Sequence, residues 1–197
     1  MSRKTLRRVI LASGSKARRK LLKQMGLKFT VSRSNIREYR RLRGSASRLV
    51  MKNAMDKACD VAKRCRSGIV IGADTLVLIG KRVIGKPRNL KDAHRTLKFL
   101  SRKPQWVYSG VAVIDIDSNK RYLDYEKTKV YMYKLSDKDI NNYFKKVSPL
   151  DKAGSFDIQG MGGIFIDRIE GCFYNVVGLP LAKLAVMLRR VGVDLFE

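Results

Sequence analysis

The chain has 197 residues and a mass of 22.4 kDa, and its 43 Lys and Arg against 17 Asp and Glu give a formal net charge of +26. This length predicts a single domain over residues 1–197 and excludes two full-sized ones. No apolar run approaches the roughly 20 residues needed to cross a bilayer, so we expect a cytoplasmic protein without a membrane span.

The charge is concentrated in residues 1–48, where Glu38 is the sole acid. Such a field attracts polyanions, including nucleoside triphosphates and nucleic acid. A basic nucleic-acid-binding module is therefore an alternative function, and weak non-specific binding of nucleic acid is expected in any case. The odd number of cysteines, without Cys-x-x-Cys spacing, indicates neither a disulfide framework nor a zinc site.

Residues 9–12 predict a short buried strand, and Ser13-Gly-Ser15 predicts a turn into a helix with Ser15 as N-cap and Gly26 just past its end. Hydroxyls and free backbone N–H groups then meet at the positive end of a helix dipole, with Arg18 in the first turn. This arrangement suits an anion. An ordinary capped helix whose basic residues face water explains the same pattern.

Residues 28–32 predict a strand, and residues 47–66 predict a long helix with an alanine-rich apolar face. At about 100° per residue, Lys57 lies roughly 60° from the centre of that face. Its amine can therefore point inward over the core, or it can snorkel to the solvent.

The segment Ile69-Val-Ile-Gly-Ala-Asp-Thr75 is apolar until it ends on an acid and a hydroxyl, as in a buried strand that delivers reactive groups at its tip. Asp74 is therefore the first catalytic candidate. Gly80-Lys81 predicts a two-residue hairpin turn, in which positions summing to about 161 face each other. Lys86 would then lie opposite Thr75, beside Asp74. Such a pair can hold a divalent metal and a phosphate chain, or form a plain surface ion pair.

The rest of the chain alternates between helices and strands, which predicts an α/β fold with a mixed sheet. The expected elements are a surface helix, an antiparallel strand pair, a helix capped by Ser136 and a terminal helix, over residues 90–103, 107–116, 120–133, 137–147 and from 180 onward. His94, the only histidine, lies in the surface helix. Catalysis should therefore depend on carboxylates, cations and a metal rather than on a histidine.

Six glycines interrupt short apolar segments between residues 154 and 178. Glycine lets the backbone approach a ligand or another backbone closely. Gln159, in their midst, offers a donor and an acceptor that can read the edge of a base. A set of tight turns explains the same composition.

Several short motifs occur in a fixed order along residues 9–190. They are Leu11-Ala-Ser-Gly-Ser15 with Arg18, Glu38, Lys57-Ala58, Gly72-Ala-Asp-Thr75, Gly85-Lys86-Pro87, Ala153-Gly-Ser-Phe156, Ile158-Gln-Gly160 and Asn175-Val-Val-Gly-Leu-Pro180. In order and spacing they closely resemble the Maf family of nucleoside triphosphate pyrophosphatases.

The resemblance implies an α/β fold in which helices flank a mixed central sheet, with two lobes around a deep cleft, and often a homodimer. It implies hydrolysis of a nucleoside triphosphate to the monophosphate and pyrophosphate with Mg²⁺ or Mn²⁺. By matched positions, Asp74 would accept the proton, and Glu38 with Asp74 would hold the metal and the attacking water. The residues that would surround the triphosphate are Ser13, Ser15, Arg18, Lys57 and Lys86.

The positions linked to base specificity are Ala17, Thr75 and Gln159. The family usually has Pro at position 16, and its subgroup acting on dTTP and UTP has Arg at position 17, where this chain has Lys16 and Ala17. Thr75 and Gln159 match that subgroup. The motif ending at Phe156 and the missing arginine are more similar to the subgroup acting on 7-methyl-GTP. Two of three positions thus favour a uracil or thymine base, or a modified pyrimidine.

Overall fold

A seven-stranded mixed sheet runs through the computed structural model, which describes residues 7–42, 44–150 and 152–196. Its strands are β1 (Val9–Leu11), β2 (Thr30–Val31), β3 (Ile69–Ile79), β4 (Arg82–Ile84), β5 (Gln105–Asp115), β6 (Lys120–Met132) and β7 (Ile166–Glu170). The strand order is β2-β1-β3-β5-β6-β7, and β4 pairs with β3 off this path. The pairs of β1 with β2 and β3 are parallel and the others antiparallel, which confirms the mixed sheet.

Helices cover both faces of this sheet. They are α1 (Lys16–Gln24), α2 (Ala46–Ala62), α3 (Leu90–Leu100), α4 (Asp137–Lys146), α5 (Phe173–Val177) and α6 (Leu181–Arg190), with 3-10 turns at Ala153–Ser155 and Met161–Phe165. α1 and α6 share one hydrophobic cluster with β3, and α2 packs on the opposite face. None of the helices in the described ranges is both long and apolar enough to cross a membrane.

Most of the predicted elements are confirmed, including the caps at Ser15 and Ser136. Three are shorter than expected by three residues each, among them the surface helix predicted over residues 90–103, which ends at Leu100. The strand predicted over residues 28–32 is reduced to β2, because β1 offers it only Ile10 and Leu11 as partners. The long helix begins one residue earlier than predicted and ends at Ala62, where the chain tightens into a turn. Residues 1–6 and Arg43 of the basic N-terminal quarter lie outside the described residues.

The edge of β3 that faces β1 contains a gap. β3 pairs with β1 through residues 69–71 and with β4 through residues 77–79, while its other edge pairs continuously with β5. Residues 72–76 thus have no strand partner on the first edge within the described chain. Asp74 lies in the middle of this gap. The expectation that Asp74 ends the strand is wrong, because β3 continues into the hairpin with β4.

The gap separates two packing groups of the fold. β1, α1 and α6 belong to the first hydrophobic cluster. β4 packs with α3 and the first 3-10 turn, next to a cluster that joins α3 to α4. This division corresponds to the two lobes that the resemblance implies.

Two glycines let α2 lie directly on the sheet. A Cβ added to Gly72 would stand 2.1 Å from the Ala54 carbonyl oxygen, and one added to Gly110 would stand 2.3 Å from the Val50 oxygen. Both contacts are with helix backbone, which cannot move aside as a flexible side chain can. The absence of these two side chains therefore brings the polar residues of α2 within reach of Asp74.

We expect Gly72→Ala to lower the free energy of unfolding by about 3 kcal/mol or more, because the added methyl group overpacks the contact with α2. Urea denaturation followed by circular dichroism measures the loss. Gly85→Ala is the control, since a Cβ at Gly85 meets nothing within 4 Å. Equal stability of the two variants would contradict this account of helix packing.

Arg7 joins three distant parts of the chain. Its guanidinium donates to both carboxylate oxygens of Asp115, to Asp117 Oδ2 at 2.7 Å and to the Val191 carbonyl oxygen at 2.6 Å. The hydrogen bond from Arg7 lowers the pKa of Asp115 from 3.8 to about 2, and burial only partly opposes it. The interaction links the start of β1, the end of β5 and the turn after α6.

We expect Arg7→Met to lower the melting temperature at neutral pH but not near pH 2. The pKa of Asp115 is lowered in the folded state, so its stabilising effect is present above the ordinary value of 3.8 and is lost as the pH falls through about 2. Thermal unfolding as a function of pH measures the difference. Arg8→Met, which removes the same charge from an exposed side chain, should leave the fall of the melting temperature in acid as it is in the wild type. A deficit of undiminished size at the lowest pH would show that the contacts of Arg7 that do not titrate, such as its hydrogen bond to Val191 O, account for the effect.

Candidate active site

The turn between β1 and α1 brings two serines to the start of the helix. Ser15 caps α1 by accepting the backbone N–H of Arg18 at 3.4 Å, and its own N–H donates to Ser13 Oγ at 3.3 Å. Ser13 is buried and lies beside the gap in β3 through its contact with Arg18. The capped helix start that the sequence predicts is therefore formed, with both hydroxyls beside it.

Arg18 extends from α1 into this gap and is 8% exposed. Its guanidinium donates to Gly178 O at 2.8 Å, Ser13 Oγ at 3.1 Å, Ala73 O at 2.9 Å and Thr75 Oγ1 at 3.0 Å. Burial lowers the pKa of Arg18, while the charges of Asp74 and Glu38 oppose that change. The result is a cation fixed in position by four neutral acceptors, with no acid of the described chain in direct contact.

A chain of hydrogen bonds supports Thr75 from beneath. Thr75 Oγ1 lies 2.8 Å from Ser109 Oγ, to which it can donate its single proton, and 3.2 Å from Gly178 O. Ser109 Oγ donates to Asn175 O at 3.1 Å, and the Asn175 amide is bonded in turn to Val107 O at 3.0 Å. The sheet and the segment after α5 thus fix the Thr75 hydroxyl.

Lys57 brings the two predicted carboxylates together. Its ammonium lies 2.6 Å from Asp74 Oδ1 and 2.7 Å from Glu38 Oε1, and it donates to Ala73 O at 3.3 Å. Lys57 is 7% exposed, so its inward orientation, left open by helix phase, is confirmed. Both carboxylates therefore share one small region.

The two halves of the site, one around Arg18 and the other around Lys57, meet at one backbone atom. The carbonyl oxygen of Ala73 accepts hydrogen bonds from both Arg18 Nη1 and Lys57 Nζ. It is free to do so because the strand gap leaves this edge of β3 without a partner. The gap thus holds two cations on one side of a strand whose next residue is Asp74.

Asn53 is a site residue that the sequence reasoning missed. Its Nδ2 donates to Asp74 Oδ2 at 2.8 Å and to Tyr39 O at 2.9 Å, while its Oδ1 accepts the Tyr39 N–H at 3.0 Å. It orients the carboxylate and also anchors the loop next to Glu38. The available signal was its place four residues before Lys57, which puts both side chains on one helix face.

Glu38 is partly open to solvent, with a side chain that is 37% exposed. Burial acts to raise its pKa, but the hydrogen bond and charge of Lys57, with the charges of Arg40 and Arg18, lower it below the ordinary value. Glu38 is therefore an ionised group at neutral pH on the solvent side of the site.

Three predicted residues are not in contact with this cluster. The β3–β4 register confirms that facing positions sum to 161, but pairing ends at Val77 with Ile84. Lys86 lies beyond it, exposed, with no hydrogen bond or ion pair to any described residue, so the structure does not bring it beside Asp74. Gln159 is half-buried in a turn where its N–H donates to Asp157 Oδ1 at 3.1 Å, and Ala17 is half-buried in α1.

The metal-binding capacity of the site is limited to Glu38 and Asp74. In the described part of the chain no group of three or more His, Cys, Asp or Glu side chains could hold a metal. Mg²⁺ and Mn²⁺ prefer oxygen ligands, and Mg²⁺ is often held by one or two carboxylates together with substrate phosphates. The two carboxylates already converge on the Lys57 ammonium, so the donor set fits a cation that binds together with a triphosphate.

Known proteins are similar to this chain along nearly its whole length. Residues 8–191 match the model of the Maf-like protein family. A dTTP/UTP pyrophosphatase of Methanosarcina barkeri is 42% identical over 193 residues, covering 98% of both chains. The protein of the same name from Clostridium tetani is 43% identical over 189 residues, covering 94% of this chain and 98% of the relative. Among solved structures, that of the Staphylococcus aureus Ham1 protein matches at 14% identity and a TM-score of 0.46, over 64% of this chain and 72% of that one.

The family match covers every element from β1 to α6, and the relatives align along nearly their whole length. It also includes both halves of the site, from the serines before α1 to the glycine after α5. The resemblance noted in the sequence is thereby confirmed, and the chain belongs to the Maf-like protein family.

Proposed function

We propose that the protein hydrolyses a nucleoside triphosphate to the monophosphate and pyrophosphate, with dTTP or UTP as its substrates. The observation that carries the proposal is the convergence of Arg18 and Lys57 on Ala73 O, next to the carboxylates of Asp74 and Glu38. Fixed cations beside an acidic pair suit a reaction in which a polyanion is attacked by water. The relatives named dTTP/UTP pyrophosphatase support the choice of substrate.

The cationic half of the site would bind the phosphates. Arg18, Lys57 and the start of α1 with Ser13 and Ser15 present positive charge and donors, which neutralise a triphosphate and hold its α-phosphorus in place. Lys86, exposed beyond β4, would reach the chain of phosphates from the other side of the gap. These contacts pre-organise the substrate before any bond changes.

Asp74 would act as the general base. Each of its carboxylate oxygens accepts one hydrogen bond, from Lys57 or Asn53, so each keeps a further lone pair. Water oriented by Asp74 and Glu38 would attack the α-phosphorus while its proton passes to Asp74. The bond from the α-phosphorus to the α–β bridging oxygen breaks, and pyrophosphate leaves with the electron pair.

Glu38 and Asp74 would also hold a divalent cation, Mg²⁺ or Mn²⁺. When bound, it supplies positive charge that neutralises the phosphate oxygens. The Lys57 ammonium, which already contacts both carboxylates, keeps them together in its absence.

Base selection would depend on Thr75 and Gln159, with Ala17 at the third position. The Thr75 hydroxyl is fixed by Arg18 and Ser109. Gln159 is half-buried, and its side-chain amide makes no hydrogen bond to a described residue. A free amide can pair with the edge of a uracil or thymine. The names of the relatives support a pyrimidine, and 7-methyl-GTP is the alternative substrate.

A screen of canonical and modified nucleoside triphosphates with Mg²⁺ or Mn²⁺, read by released pyrophosphate, tests this proposal. We expect UTP and dTTP to be cleaved fastest and the omission of metal to abolish the reaction. Faster cleavage of 7-methyl-GTP would assign the alternative substrate. Release of orthophosphate alone, or no turnover of any nucleotide, would refute the proposed reaction.

Two further features of the family are proposed for this chain. We infer a homodimer, which light scattering coupled to gel filtration would detect, and a cytoplasmic location. Weak non-specific binding of nucleic acid is expected from the charge of +26.

A further inference from the structure

A second basic surface lies on the opposite side of α1 from the active site. A groove of about 760 Å³ between α1 and β2 is lined by Lys16, Arg19, Lys20, Lys23 and Lys28, and no acidic residue of the described chain lines it. We call this surface the α1–β2 groove. Arg18, which points into the active site, is not part of it.

The cations of the groove have no acidic partners within the described part of the chain. None of the five forms an ion pair with a described residue, whereas Arg7, Lys52 and Lys183 are each paired with an acid. Arg19 Nε is buried and has no hydrogen-bond partner in the described structure. A buried donor without an acceptor is costly. An acceptor from outside the chain would remove that cost.

The spacing of these cations suits an extended anion. Lys16, Lys20 and Lys23 follow one another on successive turns of α1, about 4.5–6 Å apart along the axis. Arg19 lies between the first two, and Lys28 continues the row past the end of the helix. A compact anion would contact only one or two of these side chains, whereas a chain of phosphates contacts them all.

The floor of the groove is apolar. Leu27, Phe29 and Val31 line it, and Val31 is 41% exposed although it lies in a strand. Phe29 is half-buried, so part of its ring is open to the groove. A ligand with phosphates along one side and flat apolar groups along the other can contact both the row of cations and the apolar floor.

We propose that the α1–β2 groove binds single-stranded nucleic acid, with phosphates along α1 and a base against Phe29. This site is separate from the one that would hydrolyse nucleotides. It would place the enzyme next to the polymer whose precursors it acts on.

The test is fluorescence anisotropy of a labelled oligothymidylate with a 5′-hydroxyl end, which carries no triphosphate to hydrolyse. Five phosphate contacts predict that log Kd rises with log salt with a slope of about 3.5. Lys20→Gln/Lys23→Gln/Lys28→Gln should reduce that slope to about 1.4 and weaken binding at least about tenfold at low salt. Phe29→Leu should weaken binding at fixed salt and leave the slope unchanged.

The matched control is Lys134→Gln/Lys138→Gln/Lys146→Gln, which removes the same charge from exposed lysines around α4. It should keep the wild-type slope, and both triple variants should keep their pyrophosphatase activity. Equal losses in the two triple variants would overturn the proposal, because net charge would then explain binding.

Other anionic ligands test whether the groove prefers nucleic acid. Equally tight binding of inorganic polyphosphate, an acidic peptide or anionic vesicles would overturn the assignment to nucleic acid, as would an unchanged affinity in Phe29→Leu. Failure of the wild-type protein to release pyrophosphate would refute the proposed enzyme and leave the oligonucleotide result standing.

Discussion

Asp74→Asn should lower kcat for UTP or dTTP by at least about a hundredfold, because an amide cannot take the proton of the attacking water. Binding of the triphosphate should persist, since Arg18 and the start of α1 are untouched. Steady-state kinetics with pyrophosphate detection measures kcat, and calorimetry measures binding of pyrophosphate. Full activity in this variant would refute the assignment of Asp74 as the base.

The variant also has a structural cost that must be separated from catalysis. The Asn53 amide is held in one orientation by Tyr39, so its N–H faces Asp74. With Lys57 donating to the other oxygen, an amide at position 74 must point one N–H at a donor, at a cost of about 1–3 kcal/mol. Kinetics should therefore be recorded well below the melting temperature. The control is Asp124→Asn on β6, which breaks the ion pair with Lys183 of α6 and should keep its kcat.

Local periodicity predicted much of what positions the site. Helix phase alone left Lys57 with two orientations, and the observed one follows from its place at the edge of the apolar face of α2. The turn at Gly80-Lys81 predicted the register of β3 with β4, which the structure confirms. Capping chemistry located the start of α1 at Ser15. Each of these depends on neighbours within a few residues of one another.

The features that the sequence could not predict depend on contacts between distant segments. The strand gap around Asp74 exists because β1 ends and β4 begins on the same edge of β3, which no local pattern encodes. The sharing of Ala73 O by Arg18 and Lys57 follows from that gap. Lys86 shows the limit of a local prediction, because the register of two strands identifies facing residues only as far as the strands stay paired. Beyond Ile84 the predicted neighbour of Asp74 lies in the solvent.

Lys57→Met should lower the free energy of unfolding at neutral pH by about 3–5 kcal/mol, the usual cost of removing one partner from a buried charge pair. Lys57 is 7% exposed and bridges Asp74 to Glu38. Without its ammonium the two carboxylates face each other with no intervening charge. Urea denaturation at several pH values, with and without Mg²⁺, measures the effect.

The pH dependence distinguishes lost charge from lost packing. Because the pKa of Glu38 is lowered below 4.5 in the folded state, the stability that it gains from Lys57 is present above that value and is lost as the pH falls. The loss of stability in Lys57→Met should therefore become smaller in acid. The double variant Lys57→Met/Glu38→Gln, which also removes one carboxylate, should recover part of the lost stability at neutral pH.

Magnesium provides an independent test of the same electrostatics. A divalent cation should stabilise Lys57→Met more than the wild type, since it replaces the positive charge between Glu38 and Asp74. Lys52→Met, which breaks an exposed pair with Asp56 one turn earlier on α2, should cost no more than about 1 kcal/mol. A loss of stability in Lys57→Met that changes neither with pH nor with Mg²⁺ would mean that Lys57 stabilises the fold only through packing of its hydrocarbon chain. The carboxylates would then not be close enough to share a cation.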